Sequence, residues 1–176
     1  MEYNFTPFPI VETKRLILRK LNLNDYKQIF DLRTNKEVNT FITRNTPKNL
    51  ADAKGFIDMI SNLVSKNKAV FWVIEHKNNS QLIGTIGLRH FEVDNNYAEV
   101  GYELDPNYQQ KGFMSEALQT VLDFGFTKLK LKTIEAFTHK NNNASIALLK
   151  KHHFVFQPER RCKSVVTNRI WKLEVK

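Results

Sequence analysis

The sequence predicts an α+β fold, a mostly antiparallel sheet with helices packed on it. Apolar periodicity switches between the helical and the strand repeat along the whole chain, with no internal repeat and no low-complexity tract. Three strand-like runs follow one another between residues 69 and 104, separated by the polar turns Lys77-Asn78-Asn79-Ser80 and Asp94-Asn95-Asn96. The length of 176 residues suits one well-buried domain and is short for two.

In chain order, Arg15 to Leu21 reads as the first strand. Asn24 is a candidate cap for a helix with Tyr26, Ile29, Phe30 and Leu32 on its apolar side. Thr46-Pro47 predicts the start of a second helix, running to about Val64 and burying Phe56, Ile57, Ile60 and Leu63. The meander then comprises Ala69 to Glu75, Leu82 to Val93 and Tyr97 to Leu104. In the last of these, Ala98, Val100, Tyr102 and Leu104 alternate with Glu99, Gly101 and Glu103. Met114, Ala117, Leu118, Val121, Leu122 and Gly125 lie on one face of a third helix. Lys132 to Thr138 reads as a strand, Asn141-Asn142-Asn143 leads into a helix through Lys151, and strands follow at Phe154 to Phe156 and Val165 to Val175.

Composition narrows the function. The net charge of +9, from 27 basic and 18 acidic residues, favours anionic partners or reflects a lysine-rich surface. Basic and aromatic residues do not interleave as in an RNA-binding sheet. A single cysteine, Cys162, excludes an internal disulfide and a cysteine-based metal cluster. The five histidines lack a metal-ligand spacing, so no metal is expected. No apolar run reaches the ~20 residues of a membrane span, and Met1 to Asn4 lack a signal-peptide pattern. A cytoplasmic location is the expectation.

The stretch from Asp105 to Leu118 joins a strand to a helix through a turn containing Gln109 and Gly112. Such a junction gathers backbone N–H groups and the positive end of a helix dipole, a geometry suited to phosphate. A tight turn serving only the fold would use the same residues. Neither GxxxxGK[ST] nor GxGxxG occurs, which removes the usual support for nucleotide hydrolysis or dinucleotide binding.

Gln109-x-x-Gly112-x-Met114 resembles the Q/R-x-x-G-x-G/A loop of the GCN5-related N-acetyltransferases (GNAT). Met114 departs from the usual Gly or Ala. The flanking Ala98-Glu99-Val100-Gly101-Tyr102-Glu103-Leu104 and Gly112-Phe113-Met114-Ser115-Glu116-Ala117-Leu118 are similar to the same family. So is Asn142 to Leu149, followed by His153-Phe154. Glu12 to Arg19 resembles the opening strand of the Rim-type branch, which holds ribosomal-protein N-terminal acetyltransferases. The resemblance runs from about Glu12 to the end of the chain.

That resemblance implies an α/β/α-layered GNAT fold in a single domain, residues 1–176, with about seven strands, about four helices and a splayed central pair. It implies acetyl-CoA as cosubstrate and no metal. Gln109, Gln110, Lys111, Gly112, Phe113 and Met114 would cradle its pyrophosphate. Tyr102, Leu104 and Asn142 would contact the pantetheine arm, and Ser145 would protonate the departing thiolate. Asn142 and Ser145 also suit a helix start.

Aminolysis of a thioester needs a neutral amine. An α-amine with a pKa of about 7.7–8.0 is substantially neutral near pH 7.5, whereas lysine at ~10.4 is not. Glu103 is the preferred general base or water-positioner; Glu99 stands ~13 Å away along the strand, and Glu92 is a weaker candidate. A solvated strand-face glutamate is the alternative at each. His152-His153 suit capping better than ligation, and Cys162 reads as buried or incidental rather than nucleophilic. Lys66, Lys68 and the lysines from Lys128 to Lys132 read as solvated charge, some within reach of the CoA 3′-phosphate.

The resulting expectation is direct acetyl transfer in a ternary complex, with strand N–H groups near Tyr102 to Leu104 polarising the carbonyl. The Rim-type resemblance favours a protein N-terminal amine as acceptor. An amino acid, polyamine or antibiotic amine is the alternative, and an inactive CoA-binding or RNA-associated module is a second class. Oligomeric state, monomer or homodimer, stays open.

Overall fold

The computed structural model describes residues 3–175. Its strands are Val11–Glu12 (β1), Leu16–Lys20 (β2), Ala69–His76 (β3), Gln81–Glu92 (β4), Tyr97–Leu104 (β5), Thr133–His139 (β6), Val155–Phe156 (β7) and Asn168–Glu174 (β8). They form one sheet in the order β1-β2-β3-β4-β5-β6-β8-β7. Every neighbouring pair is antiparallel except β5 and β6. The helices are Tyr26–Thr34 (α1), Leu50–Ser65 (α2), Phe113–Thr127 (α3) and Asn143–Lys151 (α4).

Two apolar clusters make this an α/β/α sandwich. One face of the sheet, including Trp72, Ile86, Leu88 and Val100, packs on Ala117, Leu118 and Val121 of α3 and Leu149 of α4. The six α3 residues expected from their spacing are all buried. Burying a Leu or Val side chain contributes about 1.5–3 kcal/mol, so this stripe seats α3 firmly. The opposite face packs Val73 and Leu82 on Ile29 and Leu32 of α1 and on Ala53, Ile57 and Ile60 of α2.

Local capping moves the expected starts of two helices. The cap before α1 is Asn22 rather than Asn24: its carboxamide accepts from the Asn24 amide while Asp25 accepts from the Asn22 amide. The intervening Leu23–Asp25 is a 3-10 turn. α2 starts at Leu50, three residues past Pro47, because Asn49 caps the Asp52 amide at 3.0 Å and Asp52 reaches back to the Lys48 amide at 2.7 Å. The final strand begins at Asn168, not Val165. β1 was not anticipated and raises the strand count from about seven to eight.

The topology bears directly on function at β5 and β6. Their parallel ladder runs from Tyr97↔Thr133 to Val100↔Ala136 and stops. β5 continues to Leu104 on β4, and β6 continues to His139 on β8. Gly101 to Leu104 and Phe137 to His139 therefore diverge, leaving facing backbone edges that an extended ligand can pair with. Among the described residues no helix is long and apolar enough to cross a membrane.

Candidate functional site

The loop after β5 leaves its amides available. Gln110 and Gly112 have φ of 57° and 79°, the left-handed region, which turns successive N–H groups toward one side. Among the described residues, no intrachain acceptor meets the amides of Gln110 to Ser115 with hydrogen-bond geometry. Gln109 does not reach outward; its side-chain amide donates to the Leu104 carbonyl at 3.0 Å and braces the turn. The Lys111 ammonium likewise folds back onto the Asn107 carbonyl at 2.7 Å.

Side chains on the far side hold this loop against the turn between β1 and β2. Glu116, in the first turn of α3, accepts from Thr13 Oγ1 at 2.5 Å, from the Arg15 amide at 2.9 Å and from Arg15 Nε at 2.7 Å. Burial works to raise the Glu116 pKa, but these bonds from Thr13 and Arg15 outweigh it and lower the pKa. Arg15 also donates to the Lys111 carbonyl at 2.9 Å and lies over the Phe113 ring. Phe113 and Met114 both point into the core. The unusual Met114 side chain is thus directed away from the loop surface, and its amide remains free for an anion.

Where β5 and β6 part, two hydroxyls meet. Tyr102 Oη and Ser145 Oγ are 2.8 Å apart, linking the β5 tail to the first turn of α4. Asn142 caps that helix, its carboxamide oxygen accepting from the Ser145 amide at 3.1 Å. Burial pushes the Tyr102 phenol up to about 12, with the Ser145 hydrogen bond pulling the other way. The phenol keeps its proton at neutral pH, and with one hydroxyl hydrogen shared within the pair the other is left to donate.

A family model described as an acetyltransferase (GNAT) domain matches residues 15–155. The chain belongs to the GNAT acetyltransferase family. It is 35% identical over 147 residues to the uncharacterized N-acetyltransferase YoaA of Bacillus subtilis, a match covering 84% of this chain and 83% of that protein. The fold is similar to that of a putative ribosomal-protein-serine acetyltransferase from Vibrio cholerae, with a TM-score of 0.84, 21% identity and coverage of 96% of this chain and 99% of the other. It is also similar to RimL, a ribosomal L7/L12 alpha-N-protein acetyltransferase in complex with coenzyme A, with a TM-score of 0.82, 16% identity and coverage of 95% and 98%. This GNAT chain is accordingly an N-acetyltransferase with the family's layered fold.

On the opposite face of the GNAT sheet, Glu103 is not the open carboxylate expected of a general base. It is buried, and its oxygens lie 2.5 Å from Arg44 Nη1 and 3.7 Å from Arg33 Nη1, with Thr85 Oγ1 donating at 3.2 Å. The Arg44 contact is an ion pair without hydrogen-bond alignment: Glu103 Oε2 and Arg44 Nη2 both lack an aligned partner. Burial lowers the Arg33 pKa, Glu103 opposes that, and Arg44 adds to it. Two guanidinium groups so close to one carboxylate commit it to charge pairing. Glu99 sits within the paired part of β5, below the divergence, against His90 Nδ1 at 2.8 Å. Glu92 accepts from the exposed Asn95.

His152 does cap α4, and its ring has a second contact: Nε2 lies 2.9 Å from Ser115 Oγ in the first turn of α3. Burial, then Lys151 and His153, lower its pKa, with Asp123 opposing. Cys162 is buried beside Ser164. Sequence reasoning missed the Tyr102 hydroxyl, both arginines and the Ser115 contact. Arg33 and Arg44 carry no local motif, and only the packing of α1 and the following segment on β5 brings them to Glu103.

Proposed function

We propose that the chain, acting as one domain, transfers the acetyl group of acetyl-CoA to a protein N-terminal amine by direct attack in a ternary complex. The observation that carries this reading is the divergence of β5 and β6 with the Tyr102–Ser145 pair at its head. Gln110 to Ser115 would hold the pyrophosphate through their amides, with Gly112 supplying the turn. The free edges of β5 and β6 would take the pantetheine arm, with Tyr102 and Leu104 offering backbone groups and Asn142 bounding the far side. Acetyl-CoA supplies an activated acyl group on a thiol whose reference pKa is ~8.5. Ser145, backed by Tyr102, would return a proton to that sulfur as it leaves.

The choice of acceptor follows from the carboxylates. With Glu103 paired to Arg33 and Arg44, it would orient the acceptor side of the site or a water rather than strip a lysine ammonium. An α-amine, already largely neutral near pH 7.5, asks for little base assistance. The solved Rim-type neighbours support the same class. A cavity of about 370 Å³ beside Arg33, Phe56 and Met59 favours, as a second reading, a small amine. The test follows free thiol with acetyl-CoA and three acceptors: a peptide with a free N-terminus, the same peptide N-blocked with an internal lysine, and small amines. Turnover of the first alone supports the proposal; turnover of small amines alone supports the second reading; binding without turnover indicates an inactive module.

A further inference from the structure

A basic groove of about 330 Å³ lies between the end of β6 and the loop from β7 to β8. Lys140, Arg160, Arg161 and Arg169 line it, and no aspartate or glutamate does. Arg160 is spent on the buried Glu135 carboxylate. Lys140, Arg161 and Arg169 are exposed and, among the described residues, have no carboxylate within ion-pair distance. Arg169 lies 5.2 Å over the Phe156 ring, and Val166, 86% exposed, adds an apolar side chain to the same wall. The groove thus offers three uncompensated cations on a partly apolar floor.

Its position matters as much as its charge. Lys140 follows His139, the last residue of the β6 tail that diverges from β5. The Lys140 amide donates to the Thr167 carbonyl at 2.9 Å, fixing the loop to that tail. His139 packs on Phe41 at 5.3 Å, in the segment that carries Arg44 toward Glu103. The groove and the acceptor side of the candidate site therefore share one edge.

We propose that this groove docks an acidic segment of the acceptor protein, just downstream of the amine that enters the site. This rests on the reading of the acceptor as a protein N-terminus and adds its substrate class: chains with aspartate or glutamate within the first several residues. Charge complementarity at a rim acts mainly on encounter and register, so its signature is salt-dependent kcat/KM.

The experiment compares two peptides with the same first three residues, followed by an acidic or a basic tail, at about 50 mM and about 300 mM salt. The acidic peptide should be favoured by about tenfold or more in kcat/KM at low salt, an advantage that shrinks at high salt. The triple variant K140E/R161E/R169E should reverse the preference; a rise in melting temperature with acetyl-CoA checks that it is folded. The milder K140Q/R161Q, at two exposed positions, should narrow it. Equal kcat/KM for both tails, or an unchanged preference in the variants, overturns the proposal. Binding of the N-acetylated acidic peptide, followed by fluorescence anisotropy, separates the two readings. Salt-sensitive binding without turnover of any peptide keeps the groove and sinks the N-terminal acceptor. No binding sinks the groove alone where peptides turn over. Tighter binding of a single-stranded RNA oligonucleotide than of the acidic peptide also overturns it.

Discussion

Ser145 and Tyr102 form one unit, so their substitutions should be unequal but related. Ser145→Ala removes the hydroxyl proposed to face the sulfur, and kcat should fall about 10²-fold, the low end for general acid catalysis because a thiolate leaves readily. Tyr102→Phe keeps the ring and loses the 2.8 Å contact; kcat should fall less, with little change in the KM for acetyl-CoA. Steady-state kinetics on a single peptide checks both. The raised phenol pKa has a stability consequence of definite sign. The folded state holds its proton where the unfolded chain has begun to lose it, so stability falls as pH rises from about 10 toward about 12. The fall should be shallower in Tyr102→Phe, measured by urea denaturation. Glu103→Ala would leave Arg33 and Arg44 without their carboxylate, at a cost of about 3–5 kcal/mol in the same measurement. An open catalytic base would instead lose activity with stability nearly intact.

At the scale of elements, α3 was the most legible: its i, i+3, i+4, i+7 pattern named six residues that are all buried, and missed only Phe113 at the helix start. β5 was equally clear, because a strand with one face on a core must alternate. The capping residues were harder, since Asn22 and Asn24, or Thr46 and Asn49, satisfy the same local rule and only the path of the chain decides between them. Long-range ties were not legible at all. His152 joins the end of α4 to the first turn of α3 across 37 residues of sequence. Its lowered pKa means that stability is full above about pH 6.5 and declines as pH falls below it, as the unfolded chain takes up protons first. His152→Gln should flatten that acid-side decline in melting temperature. Gly112 is the other sensitive joint: at φ of 79° a Cβ costs about 1–2 kcal/mol and would stand 3.3 Å from the Arg15 guanidinium. Gly112→Val should weaken acetyl-CoA binding measured by calorimetry.

Over the whole molecule, the sheet divides the labour between its two faces. α3 and α4 bring the free amides and Ser145 to one side, where Tyr102 of β5 meets them, while α1, α2 and the arginines around Glu103 form the other. The β5–β6 ladder stops between these two faces, at Val100↔Ala136. Family resemblance foretold the divergence; composition could not, because a parallel ladder that stops early uses the same residue types as one that continues. The net charge of +9 was visible in the sequence, but its concentration beside the β6 tail required the fold. Transfer to an N-terminal amine is tested by mass spectrometry of a peptide bearing both a free N-terminus and an internal lysine, after incubation with acetyl-CoA and the enzyme. The expected product carries one acetyl group, on the α-amine, with one equivalent of free CoA thiol released. Acetylation at the lysine, or no acetylation of the peptide at all, would contradict it.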